Sequence, residues 1–320
     1  MLENMTGFKD KILLLAKEKN FSPWALEKDY YATWILCHLH KLLEEGLLLR
    51  GGMALSKQYL NHHRLSPDLD LTVYWGKNGL ITYSRRLQMA GLIQQNMVSF
   101  LNEIGFINCA PKGEIRHRAR VLSFSIPYIS CITNHKEEVK IDIQLDHQPL
   151  VKPESQDIKH FYQNHLTGVS MMPSPCRILV LDFNEQVAEK LRSATVDADP
   201  RPRDYFDLWH LIKEGFDFNQ KDFVEIFKHK VFQIAPIRDY RRNFGLNATT
   251  WTSLKKDQNE SLRPYLHGGE EFSFDLVCQK FNEIFFYQNF YWGRSERYKA
   301  FFSEKFNEYF REIIMRLPSV

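Results

Sequence analysis

The strongest constraint on the fold is a short apolar run that ends in two adjacent glycines. Leu47 to Leu49 form the run, Gly51 and Gly52 follow after one arginine, and Met53 to Tyr59 has the composition of a helix. Residues without a Cβ permit a tight turn and let a ligand approach the backbone closely. The pattern therefore predicts a strand, a glycine turn and a helix whose N-terminus favours phosphate.

The rest of the chain alternates between helical and strand periods. Ser22 as N-cap and Pro23 at the first helical position begin a helix predicted to run to about Glu45, where Gly46 ends it. Further helices are predicted at residues 6–18, with Asn20 as a stop, and at residues 81–103, with a break at Gly105. Strands are predicted at residues 69–75, 116–128 and 138–145, and a short apolar run stands at residues 178–181.

These elements predict an α+β protein. A small mixed β-sheet flanked by helices forms a core with N-terminal helices at residues 1–175, and residues 176–320 form a mostly helical C-terminal lobe. A chain of 320 residues has room for one such core and one helical lobe.

Composition says more about the cellular compartment of the protein than about whether it binds nucleic acid. The net charge of +3 comes from interleaved basic and acidic residues, so it permits nucleic acid without requiring it. The five cysteines are scattered without a CxxC pair, which indicates neither a disulfide framework nor a thiolate zinc site and favours a reducing cytosol. No apolar stretch approaches the roughly 20 residues that span a bilayer, and the N-terminus lacks a signal peptide pattern. We therefore expect a cytoplasmic protein without a membrane partner.

An acidic pair follows the glycine turn. Asp68 and Asp70 lie two residues apart in the segment Arg64-Leu-Ser-Pro-Asp-Leu-Asp-Leu71, at the start of a predicted strand. Side chains at this spacing leave a strand on one face. Two such carboxylates repel each other unless a cation lies between them, and oxygen ligands suit Mg²⁺ or Mn²⁺. A DxD triplet alone is more often a solvated strand edge, but the glycine turn favours a metal site.

A third carboxylate stands on another predicted strand. Asp142 is flanked by Ile141 and Ile143 in the run Glu138-Val-Lys-Ile-Asp-Ile-Gln-Leu145, where an unpaired acid would be costly. Three carboxylates can hold two metals for an in-line displacement at phosphorus. Asp142 is therefore predicted as a metal ligand and as the general base that polarises the acceptor hydroxyl.

These motifs together resemble the AbiEii/AbiGii toxin family of nucleotidyltransferases, related to DNA polymerase beta. Its members typically read GG(T/S)AL, then R.S.D.DL, and later EKLR with RDYYDL. This chain has Glu189-Lys-Leu-Arg192 and Arg203-Asp-Tyr-Phe-Asp-Leu208, and Glu27-Lys-Asp-Tyr30 also looks like these proteins. The resemblance spans residues 20–210.

The resemblance implies a reaction and roles for single residues. It implies that Asp68, Asp70 and Asp142 bind Mg²⁺ or Mn²⁺, that Lys190 contacts the triphosphate, and that Asp204 orients this lysine, with Asp207 the weaker candidate. An NMP would pass from an NTP to an acceptor, for which tRNA or another RNA is the leading expectation. The C-terminal lobe would close the nucleotide cleft. Growth arrest or phage defence and a cognate antitoxin would follow.

One departure keeps alternatives open. The residue after Gly52 is Met53, where relatives often carry a hydroxyl residue able to donate to phosphate. Phosphate binding would then pass to the amides of Gly51 and Gly52 and to Ser56 or Lys57. The alternatives are a catalytically impaired NTP- or RNA-binding protein of the same fold, and an enzyme that nucleotidylates a protein or a small molecule.

Two basic segments have both a functional and a structural interpretation. Arg116, Arg118 and Arg120 would share one strand face, as a phosphate track or as a solvated sheet surface. The arginines at 238, 241 and 242 would face RNA or simply coat a helix with an aromatic core side.

Overall fold

The protein was analysed as a computed structural model that divides into two compact units. Unit 1 comprises Met1–Gln186 with Pro264–Glu270, and unit 2 comprises Val187–Arg263 with Glu271–Val320. The structure describes residues 7–43, 46–76, 81–107, 109–163, 167–196, 201–232, 248–270 and 272–273. The basic segment 238–242 and the aromatic C-terminal stretch therefore lie outside the described residues.

Unit 1 contains one seven-stranded mixed sheet, which confirms the predicted α+β class. Its spatial order is β3-β4-β5-β2-β1-β7-β6, with parallel pairing of β1 with β7 and of β2 with β5. The strands are β1 Leu47–Arg50, β2 Leu69–Val73, β3 Lys112–Arg116, β4 Val121–Ile129, β5 Lys136–Gln144, β6 Glu154–Asp157 and β7 Arg177–Val180.

Helices precede, interrupt and follow this sheet. They are α1 Phe8–Lys19, α2 Pro23–Cys37, α3 Gly51–Ala54, α4 Tyr83–Glu103, α5 Phe183–Val196, α6 Pro202–Lys213, α7 Lys221–Phe232 and α8 Ala248–Ser261. The helix α3 continues directly as a π-helical segment, Leu55–Tyr59. The division between the two units falls within α5. No helix in the described ranges combines the length and apolarity that a membrane span requires.

The N-terminal helices begin where the sequence predicts, but the second ends early. Asn20 stops α1 in a left-handed conformation, with φ 56°, and Pro23 begins α2. The prediction that α2 runs to about Glu45 is wrong. Its last turn tightens when the amide of His38 donates to the carbonyl of Ile35, and a short 3₁₀ turn, Leu39–Lys41, follows.

The predicted single strand at residues 116–128 is a hairpin. Strands β3 and β4 pair antiparallel, and the turn between them places His117, Arg118 and Ala119 in left-handed conformations, with φ between 52° and 57°. The guanidinium of Arg86 on α4 holds this turn by donating to the carbonyls of Ala119, at 3.1 Å, and Arg118, at 3.4 Å. Arg116, Arg118 and Arg120 therefore do not share one strand face, contrary to the prediction.

A disulfide also departs from the sequence prediction. Cys37, at the end of α2, is bonded to Cys176, one residue before β7, with their Cα atoms 4.7 Å apart. The helix α2 packs against β7, which brings the two distant cysteines together. The sequence indicates no disulfide framework, and this single pair could not be predicted because cysteine spacing along the chain carries no information on the packing of α2 against β7.

Each unit has its own apolar core. In unit 1, the helix α2 is buried on nearly all sides, with Leu26, Tyr30 and Ile35 fully inaccessible to solvent. In unit 2, aromatic rings pack edge to face around α7, where Phe218 and Phe223 are fully or almost fully buried.

Candidate active site

The candidate active site is built on a row of polar side chains that crosses the centre of the sheet. Asp70 on β2 is the register partner of Asp142 on β5, and Asp142 is in turn the partner of Ser123 on β4. On the other side, Arg50 of β1 pairs with Asp70. Register partners project from the same face of a sheet. Asp68 immediately precedes β2, so the structure brings the three predicted carboxylates to one region.

The glycine turn packs directly against this row. Gly51 has a φ of +71°, and a Cβ at this position would collide with the Asp70 carboxylate and lie 2.8 Å from its Cβ. The amide of Gly51 donates to the side-chain oxygen of Gln186, at 2.9 Å. A Cβ at Gly52 would lie 2.6 Å from a guanidinium nitrogen of Arg64. Both glycines are thus required by space, and Gly51 also by conformation.

The third acid is partly exposed and already paired. Arg116 donates to Oδ1 of Asp142 at 2.8 Å, and the Ser123 hydroxyl donates to the same oxygen. The Asp142 side chain is 48% exposed. Its apolar neighbours in sequence point to the opposite face of β5, so the costly apolar environment inferred from Ile141 and Ile143 is not the one that Asp142 occupies.

Ser56 and Lys57 lie inside the protein. Lys57 Nζ is 2.7 Å from Oδ2 of Asp29, and both side chains are almost fully buried. Burial alone would raise the pKa of Asp29, but the ammonium of Lys57 and the hydroxyl of Tyr162, at 2.6 Å, hold this pKa below its usual range. Ser56 Oγ donates to the carbonyl of Arg64 at 2.5 Å. As direct nucleotide contacts, Ser56 and Lys57 stay predictions.

The Asp29 contacts explain part of the Glu27-Lys-Asp-Tyr30 motif, for which sequence reasoning had no role. Asp29 joins α2 to the helix after the glycine turn, and its Oδ1 also accepts from the amide of Ser66 at 3.4 Å. Ser66 lies two residues before Asp68. The motif thus positions both the helical segment after the glycine turn and the segment that leads into the acidic pair.

Met53 is a core residue. Its side chain is fully buried and belongs to the main apolar cluster of unit 1. The absence of a hydroxyl at this position therefore coincides with an apolar environment.

Unit 2 carries the later motifs, and they converge on one lysine. Lys190 Nζ on α5 is 2.5 Å from Oδ1 of Asp204 and 3.0 Å from Oδ2 of Asp207, both on α6. Ser193 Oγ donates to Asp204 at 2.6 Å. Burial would raise the pKa of Asp204, but the contact with Lys190 lowers it overall. The predicted pairing of Lys190 with Asp204 is present, and Asp207 is a second partner that the sequence had ranked lower.

The class of this protein follows from a comparison with protein families. A family model described as "Nucleotidyl transferase AbiEii toxin, Type IV TA system" matches residues 34–283. The chain therefore belongs to the AbiEii family of type IV toxin–antitoxin systems, and it is a nucleotidyltransferase.

Two solved structures from Helicobacter pylori match parts of this chain. JHP933 is 18% identical with a TM-score of 0.37, and the match covers 75% of this chain and 97% of that chain. A candidate nucleotidyltransferase is 19% identical with a TM-score of 0.38, covering 72% of this chain and 88% of the other. A comparison with curated protein sequences finds no match.

Proposed function

We propose that this chain transfers an NMP from an NTP to the 3′ end of tRNA in a reaction that requires Mg²⁺ or Mn²⁺, and that this modification arrests growth or limits phage. The observation that carries the proposal is the pairing of Asp70 with Asp142, directly beside the glycine turn. The reaction class follows from the family, while the metal, the acceptor and the biological outcome are proposed.

The donor set fits a hard divalent cation. Asp70 and Asp142 offer carboxylate oxygens from paired strand positions on one face, Asp68 immediately precedes β2, and Asp142 is open to solvent. Such oxygens suit Mg²⁺ or Mn²⁺ better than softer metals. When bound, the cation would neutralise charge on the transferring phosphate and polarise the attacking hydroxyl.

The remaining steps belong to residues of the chain. The amides that follow Gly51 begin α3 and favour the phosphates of an NTP. The acceptor oxygen forms a bond to the α-phosphorus of the NTP. The bond from the α-phosphorus to the oxygen that bridges to the β-phosphate breaks, and pyrophosphate leaves. Asp142 takes the proton of the attacking hydroxyl. Lys190, held by Asp204 and Asp207, is proposed as the lysine that binds the triphosphate.

An RNA acceptor is supported by charge near the third acid. Arg116 contacts Asp142, and the turn that follows carries the exposed residues Arg118 and Arg120. Arg120 contacts Asp146 at 3.3 Å while its side chain remains 64% exposed. Exposed guanidinium groups beside a catalytic acid suit the phosphates of a polynucleotide better than an uncharged metabolite.

The test is transfer of label from each α-labelled NTP to total tRNA in the presence of Mg²⁺. The wild-type chain is compared with the double variant Asp68→Asn, Asp70→Asn and with Asp146→Asn, which alters an exposed acid just beyond β5. Label on tRNA that is lost only in the double variant supports the proposal and identifies the base. Label on protein or on a small molecule, with none on tRNA, contradicts the acceptor while retaining the chemistry.

A further inference from the structure

Lys28 is the member of the Glu27-Lys-Asp-Tyr30 motif that the fold leaves without a partner. Its side chain is 9% exposed. Its ammonium makes no hydrogen bond and no ion pair with the described residues, and it lies over the Trp24 ring, with 5.9 Å between Nζ and the ring centroid. The residue is largely buried, but its ammonium is not fully enclosed, so this charge is open to an anionic ligand.

Glu27 and Asp29, the residues on either side of Lys28, both have hydrogen-bond partners within the protein. Glu27 accepts from the amide of Cys131 at 2.7 Å and from the hydroxyl of Ser130, which fixes the end of β4. Asp29 binds Lys57 and Tyr162. Lys28 is therefore not explained by the packing that accounts for its neighbours.

Packing places Lys28 beside the segments that carry the acids. The helix α2 contacts β5, and the next residue, Asp29, accepts from the amide of Ser66, two residues before Asp68. Burial lowers its pKa, and among nearby charged groups Asp68 has the largest effect, opposing that shift. Glu137 and Glu138 act in the same sense as Asp68, and Lys140 acts against them. Lys140 stands two residues before Asp142 on β5, on the same face. The residue is thus close to both the acidic pair and the strand of the third acid.

We propose that the Lys28 ammonium binds a phosphate group of a substrate beside Asp68. This inference rests on the proposed function, because it assumes that a phosphate-bearing substrate reaches the carboxylates. The phosphate belongs either to the NTP or to the RNA acceptor. A lysine suits this role, since its ammonium is a compact charge on a flexible stem and can donate three hydrogen bonds.

The test uses Lys28→Met, which removes the charge while keeping a long side chain, with Lys17→Met on the exposed face of α1 as the control. The KM for NTP is measured at saturating tRNA, and the KM for tRNA at saturating NTP. Binding of each NTP and of total tRNA to the unlabelled protein is followed by calorimetry in Mg²⁺. Thermal melting is recorded for all variants.

We expect Lys28→Met to raise one KM about tenfold or more, as loss of a charge-assisted hydrogen bond predicts, with an unchanged or higher Tm. An effect on the KM for NTP assigns the phosphate to the nucleotide, and an effect on the KM for tRNA assigns it to the acceptor. A lower Tm with both KM values unchanged would show a structural lysine and contradict the inference.

The two proposals fail in different ways. If the wild-type chain binds NTP or tRNA but transfers no label, the proposed transfer to tRNA is contradicted. Weaker binding of NTP or tRNA by Lys28→Met would still support the phosphate contact. If the wild-type chain binds neither, both proposals are wrong.

Discussion

Asp70 on β2 and Asp142 on β5 are register partners on adjacent parallel strands, although a helix and a hairpin separate them in sequence. Parallel neighbours require a long crossover connection, and here the connection contains α4, β3 and β4. The pairing places two carboxylates side by side on one face, with the glycine turn against one and Arg116 against the other. Site formation therefore depends on correct pairing of β2 with β5.

Gly51→Ala tests the contact between the turn and the acid. The added Cβ would occupy the space of the Asp70 carboxylate, and alanine would have to adopt the left-handed φ of +71°. We expect a loss of about 1–3 kcal/mol in the free energy of unfolding and at least tenfold lower transfer activity. Chemical denaturation and label transfer measure the two effects.

Gly91→Ala is the matched control for this substitution. Gly91 lies within α4, and a Cβ there meets no atom within 4 Å. Alanine should stabilise the helix by up to about 1 kcal/mol and leave transfer unchanged. Equal behaviour of the two variants would contradict the role assigned to Gly51.

The buried pair of Lys57 with Asp29 should be strongly coupled. Either Lys57→Met or Asp29→Asn leaves the other charge buried without its partner, so each is expected to lower the free energy of unfolding by about 3–5 kcal/mol. The double variant should lose less than the sum of the two. A double-mutant cycle by denaturation measures this coupling. Strictly additive losses in the free energy of unfolding would show that the two side chains do not stabilise each other.

Acid should destabilise the protein through the same carboxylate. The pKa of Asp29 is lowered in the folded state, where Lys57 and Tyr162 oppose the effect of burial. Its stabilisation is therefore fully present above the unfolded-state pKa, about 3.9, and is lost as the pH falls through the folded-state value. We expect the Tm to fall below about pH 4, and to fall less steeply in the double variant Asp29→Asn, Lys57→Met. Parallel melting curves from pH 7 to pH 3 would argue against this linkage.

The strands that could be predicted from sequence are those that alternate or cluster apolar residues around the acids. Strands β1, β2 and β5 were found within a few residues because their burial pattern is local. The hairpin turn at residues 117–119 was missed, since it contains no glycine, proline or asparagine and is held by Arg86 from another helix. The ion pair of Lys57 with Asp29 could not be predicted either, because the two residues become neighbours only when α2 packs against the helical segment after the glycine turn.

Arg116 should control how readily Asp142 binds a cation. Its guanidinium neutralises the third acid at 2.8 Å, and both side chains are partly exposed. We expect Arg116→Gln to lower the Mg²⁺ concentration for half-maximal binding roughly two- to fivefold, the range that an exposed ion pair supports. Arg120→Gln, which disrupts the neighbouring contact with Asp146, is the control. A higher Mg²⁺ concentration for half-maximal binding in Arg116→Gln would contradict this prediction and would indicate that Arg116 holds Asp142 in position for the cation.

The central claim is that the carboxylates of β2 and β5 together carry a metal-dependent nucleotidyl transfer. The direct measurement is pyrophosphate release from NTP in the presence of tRNA as Mg²⁺ is titrated, for the wild-type chain, Asp70→Asn, Asp142→Asn and Asp146→Asn. We predict Mg²⁺-dependent release that falls at least a hundredfold in Asp70→Asn and Asp142→Asn, about the loss of a major electrostatic contact, and persists in Asp146→Asn. Release that continues without Mg²⁺, or that survives both strand substitutions, would contradict the account.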